Sequence, residues 1–297
     1  SICASGTLGQ IIPPSLVLIL LADITGQSVG TLFAAAMVPG LVLAALYCLY
    51  ILVFAYVKPD AAPPIPLEER SAIRGVQLFK RALFVIGPPL ALVAAVLGAI
   101  IGGVAAPTEA ASMGAFGSIV VALMHRRLDW PLLREVMHGT VRITAMIFFI
   151  LIAAQIFALA FRGLRGEGLV HAMFGALPGG VETGLIFMML LLFILGFFLE
   201  WIEISYIALP LFFPYFAAAG VDPVWLAILV ALNLQTSFLT PPFGWALFFL
   251  KGVAPPGVST IDIYKGVIPF ILLQVLMLAI LFFYPALATW LPKAIGW

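Results

Sequence analysis

Four long stretches of this chain contain no charged side chain: residues 40–57, 82–106, 143–161 and 269–291. A helix needs about 20 apolar residues to cross the hydrocarbon core of a bilayer. A soluble fold would have to cover these stretches with polar surface, yet only 9% of the residues are charged and 64% are hydrophobic. Soluble domains carry about 25% charged residues. The sequence therefore excludes a soluble enzyme and predicts a protein that crosses the membrane several times.

Four further apolar stretches are shorter or interrupted by polar residues, at 1–22, 110–124, 184–218 and 224–250. Membrane-spanning strands would show alternating polarity over about ten residues, and none of these stretches does. We therefore expect an all-α polytopic membrane protein. The net charge of +1 gives no basic field that would attract nucleic acid.

The Lys and Arg residues are divided unevenly between the gaps that separate these stretches. If each stretch crosses once and 184–218 enters and returns, the gaps 58–81, 125–142 and 251–265 lie on one side. They hold five, four and two basic residues, which is 11 of the 14 in the chain. The positive-inside rule makes that side cytoplasmic. Gap 58–81, rich in proline and of mixed charge, then becomes a cytoplasmic linker.

Segment 184–218 has two apolar arms, each about half a membrane long, separated by LEWIEIS with Glu200 and Glu203. A carboxylate near the centre of a continuous membrane helix would cost several kcal/mol. A hairpin whose tip lies in a wet cavity lined by protein avoids most of that cost. We expect a re-entrant hairpin here, the alternative being two short helices with an exposed loop.

Two Pro-Pro pairs mark an internal repeat. SGTLGQIIPPS at 5–15 is matched by LQTSFLTPPFG at 234–244, and similar segments at 28–40 and 259–270 follow before an uninterrupted span. Under the predicted topology the first copy runs outward and the second inward. Inverted repeats of this kind are typical of secondary transporters. The alternative is that Pro-Pro recurs by chance among 22 prolines.

The repeat suggests a division of the chain into three parts. Residues 1–57 form the end of the first inverted repeat, with a broken helix, an arm helix and a span, and 58–81 is the linker. The second repeat occupies 82–297. Within it we expect scaffold spans at 82–161, the re-entrant hairpin at 184–218, a broken helix at 224–250, and an arm with the last span at 259–291.

A Pro pair removes two backbone donors, so each apolar helix must break there. Broken backbone in a membrane is tolerated where it lines a cavity. The freed carbonyls and nearby hydroxyls are oxygen ligands suited to a small cation, while the half-helix that begins after the break offers its amino end to an anion. Sodium and a carboxylate substrate fit these groups better than a neutral solute does.

No catalytic constellation occurs in the sequence. The three histidines, His125, His138 and His171, form no HExxH motif, and neither a GxSxG elbow nor a phosphate-binding loop is present. We therefore expect a protein that is not an enzyme, hydrolyses no ATP and needs no cofactor apart from sodium as the coupling ion.

Several motifs together resemble the large membrane (permease) subunit of the tripartite ATP-independent periplasmic (TRAP) transporters. They are GTLGQIIPPS at 6–15, APTEAA at 106–111, FFLEWIEISYIALPLFFP at 197–214 and NLQTSFLTPPFG at 233–244. The resemblance implies an elevator-type carrier in the bacterial inner membrane that takes up a small organic acid with sodium. It also implies two partners, a small membrane subunit and a periplasmic substrate-binding protein.

The resemblance further implies where sodium and substrate bind. One sodium site falls at Ser5, Gly6, Thr7 and Gly9, and the other at Thr236, Ser237 and Thr240. The tip of the hairpin and the neighbouring substrate region would comprise these residues: Glu200, Trp201, Glu203, Ser205, Asn233, Pro241 and Pro242.

Two departures from the family pattern stand out. Family members begin upstream with scaffold helices and a first hairpin, so the resemblance implies that this chain lacks its N-terminal part and cannot transport alone. Many members also carry Asp and a small residue where this chain has Glu200 and Trp201. That variant resembles the branch labelled for mannitol or chloroaromatic compounds, which does not identify a substrate.

Three other functions are alternatives. A related carrier could work without a binding protein. A proton-relaying subunit of a respiratory complex could use Glu109, Glu200 and Glu203, although no buried Lys or His lies between these carboxylates. An intramembrane hydrolase would need paired catalytic residues that the sequence does not contain.

Overall fold

The computed structural model describes residues 1–59, 62, 75–242, 244–255 and 257–296. These residues form helices and connecting turns, with no strand among them. Six of the helices are long and apolar enough to cross a membrane, and a seventh span results if one bent helix pair is counted as a single crossing. The predicted all-α polytopic fold is confirmed. Most of the predicted linker 58–81 lies outside the described residues.

The chain begins with a helix that is broken at the first Pro-Pro pair. Helix α1 covers Ile2–Leu8 and α2 covers Leu16–Thr25. Between them the Ser15 side chain caps α2 by accepting a hydrogen bond from Leu18 N–H at 3.3 Å. Helix α3 then runs without interruption over Val29–Val57, so the predicted arm and span are one helix that contains Pro39.

The described residues divide into two compact units, Ser1–Tyr47 with Ile143–Trp297, and Cys48–Arg142. The second unit includes α4 (Val76–Ile101) and α5 (Pro107–Met124), and helix α6 (Trp130–Gly163) begins in it. Helix α4 starts before residue 82, so Lys80 and Arg81 lie in this helix and not in the predicted linker. The Glu109 carboxylate caps α5 by accepting a hydrogen bond from Ala106 N–H at 2.9 Å.

A helical hairpin follows in the first unit. Helix α7 (Gly166–Gly175) leads into α8 (Gly180–Leu195) with a bend of 116°. Helix α9 (Trp201–Ala218) returns and contains a π-helical turn at Ile204–Ala208. At the open end of the hairpin, the Phe216 ring lies 3.6 Å from the position of a Cβ built on Gly184. The two arms therefore lie side by side, and the break between them is residues 196–200.

The second broken helix consists of α10 (Pro223–Leu239) and α11 (Trp245–Val253). Every residue of α10 from Leu226 to Leu239 is buried, so this helix forms the centre of the unit. Helix α12 (Thr260–Phe283) is continuous through Pro269, and α13 (Ala286–Ala294) follows after a break at Tyr284 and Pro285. The predicted arm and last span, 259–291, are thus two helices, α12 and most of α13, with a break between them at Tyr284 and Pro285.

The same order of elements occurs twice: two half-helices around a Pro-Pro pair, then a long helix with one internal proline. It describes α1–α3 and α10–α12. Both Pro-Pro peptide bonds are cis. The two long helices meet where the rings of Tyr47 and Phe270 pack edge to face, with centroids 5.1 Å apart.

Polar residues identify the two ends of the first unit. Gln27, Asp222 and Lys293 line one cavity of about 560 Å³. Ser1 and Asp262 line another, of about 170 Å³. The connections after α2 and α9 therefore meet helix α13 at one end of the unit.

Candidate transport site at the hairpin tip and the helix breaks

The two helix breaks lie close together in the first unit. Helix α1 packs against both α10 and α11. Across this contact the Cys3 thiol donates a hydrogen bond to the Ala246 carbonyl in the first turn of α11, at 3.4 Å. The half-helix that precedes the first break therefore contacts both half-helices of the second.

The hairpin tip lies beside the second break. Helix α8 runs along α10 in the same direction, because the Asn233 side-chain amide donates to the Met189 carbonyl at 2.8 Å and, farther along, Gly196 meets Ser237. A Cβ built on Gly196 would lie only 2.6 Å from Ser237 Cβ, and closer still to its hydroxyl oxygen. The absence of a side chain at Gly196 is what lets the tip touch α10.

The hydroxyl groups predicted for the second sodium site gather on one side of α10. Thr236 donates to the Leu232 carbonyl at 2.7 Å, Ser237 to Leu234 at 2.8 Å, and Thr240 to Thr236 at 2.7 Å. Each hydroxyl proton is thus used within the helix, while the oxygen lone pairs can still accept. Three hard oxygen atoms are therefore available within about one helical turn of the break.

The backbone of the second break is held from α12. The Tyr264 hydroxyl donates to the Pro242 carbonyl at 2.9 Å. Pro241 and Pro242 have no N–H, so the carbonyls of Ser237 and Phe238 lose the donors that a continuous helix would supply, although the Ser237 carbonyl accepts from Thr240 N–H at 3.1 Å. Gly244 closes the turn: a Cβ there would approach the Phe238 carbonyl oxygen at 3.0 Å.

The residues predicted for the first sodium site are less enclosed. Thr7 is buried, and its hydroxyl donates to the Ala4 carbonyl at 3.0 Å. Ser5, Gly6 and Gly9 are exposed. Gly6 and Thr7 line a cavity of about 530 Å³ together with Gln10, which the sequence reasoning missed although it belongs to the GTLGQ motif.

The predicted tip residues Glu203 and Ser205 lie in the first turns of α9 and not in the connecting loop. The Glu203 carboxylate accepts from Glu200 N–H at 3.1 Å and so caps α9. Trp201 packs beside Ile202 and Tyr206 in a cluster that includes residues of α2 and α6. Ser205 is fully buried in the π-helical turn.

Four aromatic side chains line an open cavity of about 260 Å³ between the tip and the start of α11: Phe197, Phe198, Trp245 and Phe248. Two of them come from the tip and two from α11. Trp245 and Phe248 are visible in the sequence as aromatic residues near a break, but their pairing with Phe197 and Phe198 depends on tertiary packing. The cavity can receive an apolar part of a ligand bound at the break.

Within the described ranges, no group of three or more His, Cys, Asp and Glu side chains could hold a metal ion. The oxygen atoms that the second break offers to a cation are those of hydroxyl groups and backbone carbonyls. Such neutral oxygens suit a hard monovalent cation better than a transition metal, which prefers imidazole or thiolate ligands.

Comparison with known proteins identifies the family. A family model described as "Tripartite ATP-independent periplasmic transporter, DctM component" matches residues 2–287. The C4-dicarboxylate TRAP transporter large permease protein DctM of Pseudomonas aeruginosa is 32% identical, over 99% of this chain and 67% of the relative. DctM of Vibrio cholerae is 31% identical, over 98% and 67% respectively.

A relative with a different named substrate is also similar. The ectoine TRAP transporter large permease protein TeaC of Halomonas elongata is 29% identical, over 97% of this chain and 65% of the relative. The chain thus spans about two thirds of the length of these proteins. Its relatives are transporter permeases and not enzymes, and permeases of this kind reside in the bacterial inner membrane. The chain belongs to the DctM family, the large multi-pass permease component of the TRAP transporters.

Proposed function

We propose that the intact protein takes up a small organic acid across the inner membrane by sodium-coupled secondary transport. The observation that carries this proposal is the contact of Gly196 with Ser237, which sets the hairpin tip against the hydroxyl groups and freed carbonyls of the second break. A hairpin tip that closes over a cluster of oxygen ligands can respond directly to a bound cation.

The proposed sodium ligands are the oxygens of Thr236, Ser237 and Thr240 with nearby backbone carbonyls. Their protons are committed to the helix, so the lone pairs can face a cation without a change of rotamer. The groups of the first break, the buried Thr7 and the exposed Ser5, Gly6 and Gly9, are the proposed second position for sodium.

The proposed substrate site lies between the tip and the amino end of α11. The first N–H groups of a helix have no acceptor within the helix and favour a negative charge. A carboxylate at the start of α11 would place the rest of the acid toward the cavity of Phe197, Phe198, Trp245 and Phe248. Asn233, Glu200 and Trp201 would border this region, and Pro241 and Pro242 would lie in the break beside it.

In the proposed mechanism, sodium neutralises the oxygen cluster and orders the tip, which completes the anion site. The loaded hairpins and broken helices then move across the membrane against a fixed scaffold. The repeat organisation supports this, because two similar halves of opposite direction can form equivalent inward- and outward-facing states. The proposed partners are a small membrane subunit, which steadies the scaffold, and a periplasmic binding protein, which delivers the substrate.

The relatives' names do not settle the substrate, since they include C4-dicarboxylates, ectoine and sialic acid. Sodium binding can be tested without knowing it. The full-length permease with its small subunit is purified, and its thermal midpoint is measured in NaCl and in choline chloride at equal ionic strength. We expect sodium to raise the midpoint, and Ser237→Ala with Thr240→Val to abolish most of that increase.

The matched control is Thr289→Val. Thr289 is also a buried hydroxyl that donates to the carbonyl four residues before it, that of Pro285 at 3.3 Å, but it lies in α13 at the far end of the unit. Its variant should keep the full sodium response. An equal loss of response in both variants, or none in either, would refute the assignment of the second site.

Uptake into proteoliposomes tests the partners. With succinate as the probe and an inward sodium gradient, we expect uptake only when the periplasmic binding protein is added. Sodium-driven uptake without that protein would instead support the stand-alone carrier.

A further inference from the structure

Three buried polar side chains lie in the first unit, one on each of the helices α3, α10 and α12: Tyr47, Gln235 and Gln274. Tyr47 is 3% exposed and both glutamines are 0% exposed. The Tyr47 hydroxyl and all four amide atoms of the two glutamines form no hydrogen bond within the described chain. Buried polar groups are nearly always hydrogen-bonded, so five such atoms require an explanation.

Tyr47 and Gln274 are neighbours. The Tyr47 ring packs edge to face on Phe270, one helical turn before Gln274 on α12. The Tyr47 hydroxyl lies beside the Gln274 side chain, yet neither group has a hydrogen-bond partner within the described chain. Two polar side chains from different halves of the chain are thus close together in the interior.

The position of Gln235 follows from the register of α10 against α12. Near one end the Trp225 indole N–H donates to the Leu281 carbonyl at 2.8 Å. Near the other end the Tyr264 hydroxyl donates to the Pro242 carbonyl at 2.9 Å. Both bonds fit one antiparallel alignment of α10 and α12. Each residue of α10 between the two bonds therefore lies opposite a particular residue of α12.

This register places Gln235 level with Ile271, three residues from Gln274. Three residues correspond to about 4.5 Å along a helix, which is within reach of two glutamine side chains. Gln235 also lies about 200° around α10 from Asn233, which binds the hairpin arm α8. Gln235 therefore points away from the hairpin, toward the side where α10 packs on other helices.

We propose that ordered water occupies this junction and is held by Tyr47, Gln235 and Gln274. The unpaired atoms include two amide nitrogens, which donate, and two amide oxygens, which accept, as well as a hydroxyl that does both. Water satisfies both kinds of group and typically makes about three hydrogen bonds when buried. A cation would satisfy the oxygens alone and leave both amide nitrogens unpaired.

The water site would connect α10, which carries the second break, to the long helices of both repeat-like halves. On its opposite side α10 is bound to the hairpin through Asn233 and Ser237. The site does not depend on the proposed substrate or on sodium coupling.

Hydroxyl-radical footprinting tests this inference. Irradiation generates radicals from bound water inside a protein, and they oxidise the side chains next to it. Met277 lies one turn beyond Gln274 and is 0% exposed, while Met188, on α8, is 1% exposed and serves as the matched buried methionine. In the full-length permease with its small subunit in nanodiscs, we expect Met277 to be oxidised several-fold faster than Met188.

A variant and a change of salt complete the test. Gln274→Met keeps the volume but removes the amide, so Met277 oxidation should fall toward the Met188 rate; Gln235→Met serves if the first variant does not fold. In the wild type, equal rates at Met277 and Met188 would overturn the proposal. A Met277 rate that changes when NaCl replaces choline chloride would overturn it in favour of a cation site.

Discussion

Gly196 and Ser237 are in such close contact that no side chain at position 196 would fit between the hairpin tip and helix α10. Gly196 ends α8, and Ser237 lies one turn before the second helix break. The contact therefore joins the element proposed to move over the sodium site to the element that supplies its ligands. Its consequences can be measured.

Replacing Gly196 by alanine should separate the tip from α10, because the added Cβ would overlap the Ser237 side chain. Overpacking of this kind typically costs about 1–3 kcal/mol. We expect a lower thermal midpoint of the purified permease complex and a weaker sodium response. The double variant Gly196→Ala with Ser237→Gly should recover stability but not the sodium response, since it restores space and removes a proposed ligand.

Gly139→Ala is the control for that substitution. Gly139 lies within α6, and a Cβ there would meet nothing within 4 Å. Alanine is favoured over glycine inside a helix by about 0.5–1 kcal/mol, so this variant should be neutral or slightly stabilising. If Gly196→Ala proved as harmless as Gly139→Ala, the close contact would not exist in the membrane.

Asn233→Leu should loosen the hairpin from α10. The Asn233 amide and the Met189 carbonyl form a buried hydrogen bond at 2.8 Å between α10 and α8. The Met189 carbonyl lies inside α8 and keeps its helical donor, so the loss is that of one typical hydrogen bond, about 0.5–1.5 kcal/mol. We expect a lower thermal midpoint and faster proteolysis at the tip, near residues 196–200. Asn233→Gln offers the same amide on a longer chain and should restore part of the stability.

How much of this arrangement can be read from the sequence depends on whether a feature is local. Although Pro39, Pro88, Pro89 and Pro269 lie inside continuous helices, Pro13, Pro14, Pro241 and Pro242 correctly predict both helix breaks, because a proline lacks the backbone donor that continues a helix. Pro285 acts in the same way but stands within an apolar run, and the predicted last span was therefore drawn through it. Local chemistry marks a break most clearly where polar residues accompany the proline.

Contacts that depend on which face of one helix packs against another helix could not be predicted. Gln235 and Gln274 stand in apolar runs where nothing indicates which neighbour they meet. The contact of Gly196 with Ser237 joins residues that are distant in sequence, and Phe197 with Phe198 looks like any apolar pair. The first turns of α9 were assigned to a loop because Glu200 and Glu203 are charged, although Glu203 caps that helix.

Tyr264→Phe should destabilise the backbone turn at the second helix break without altering the proposed sodium ligands. The Tyr264 hydroxyl is the side-chain donor to the Pro242 carbonyl, at 2.9 Å. A typical hydrogen bond contributes about 0.5–1.5 kcal/mol to stability, so the thermal midpoint should fall modestly. We expect half-maximal stabilisation to need more NaCl, because the break is less well ordered. Tyr56→Phe is the control, since Tyr56 is 88% exposed on α3.

Trp245→Ala should change which acids compete for transport more than it changes the response to sodium. Trp245 lines the cavity that Phe197, Phe198 and Phe248 complete, and it has no proposed role as a sodium ligand. Removing the indole enlarges the space beside the proposed carboxylate position at the start of α11. In proteoliposomes that contain the full transporter, we expect succinate uptake to be inhibited more strongly by the bulkier diacid phthalate than in the wild type.

Phe149→Ala is the matched control, because Phe149 is a large aromatic residue that is 74% exposed on α6. It should leave both inhibition by phthalate and the sodium response unchanged. Thermal midpoints in NaCl and choline chloride distinguish a selective effect from general damage: Trp245→Ala should retain the sodium-dependent increase. An unchanged order of competing acids in a folded, sodium-responsive Trp245→Ala transporter would show that the aromatic cavity lies outside the substrate path.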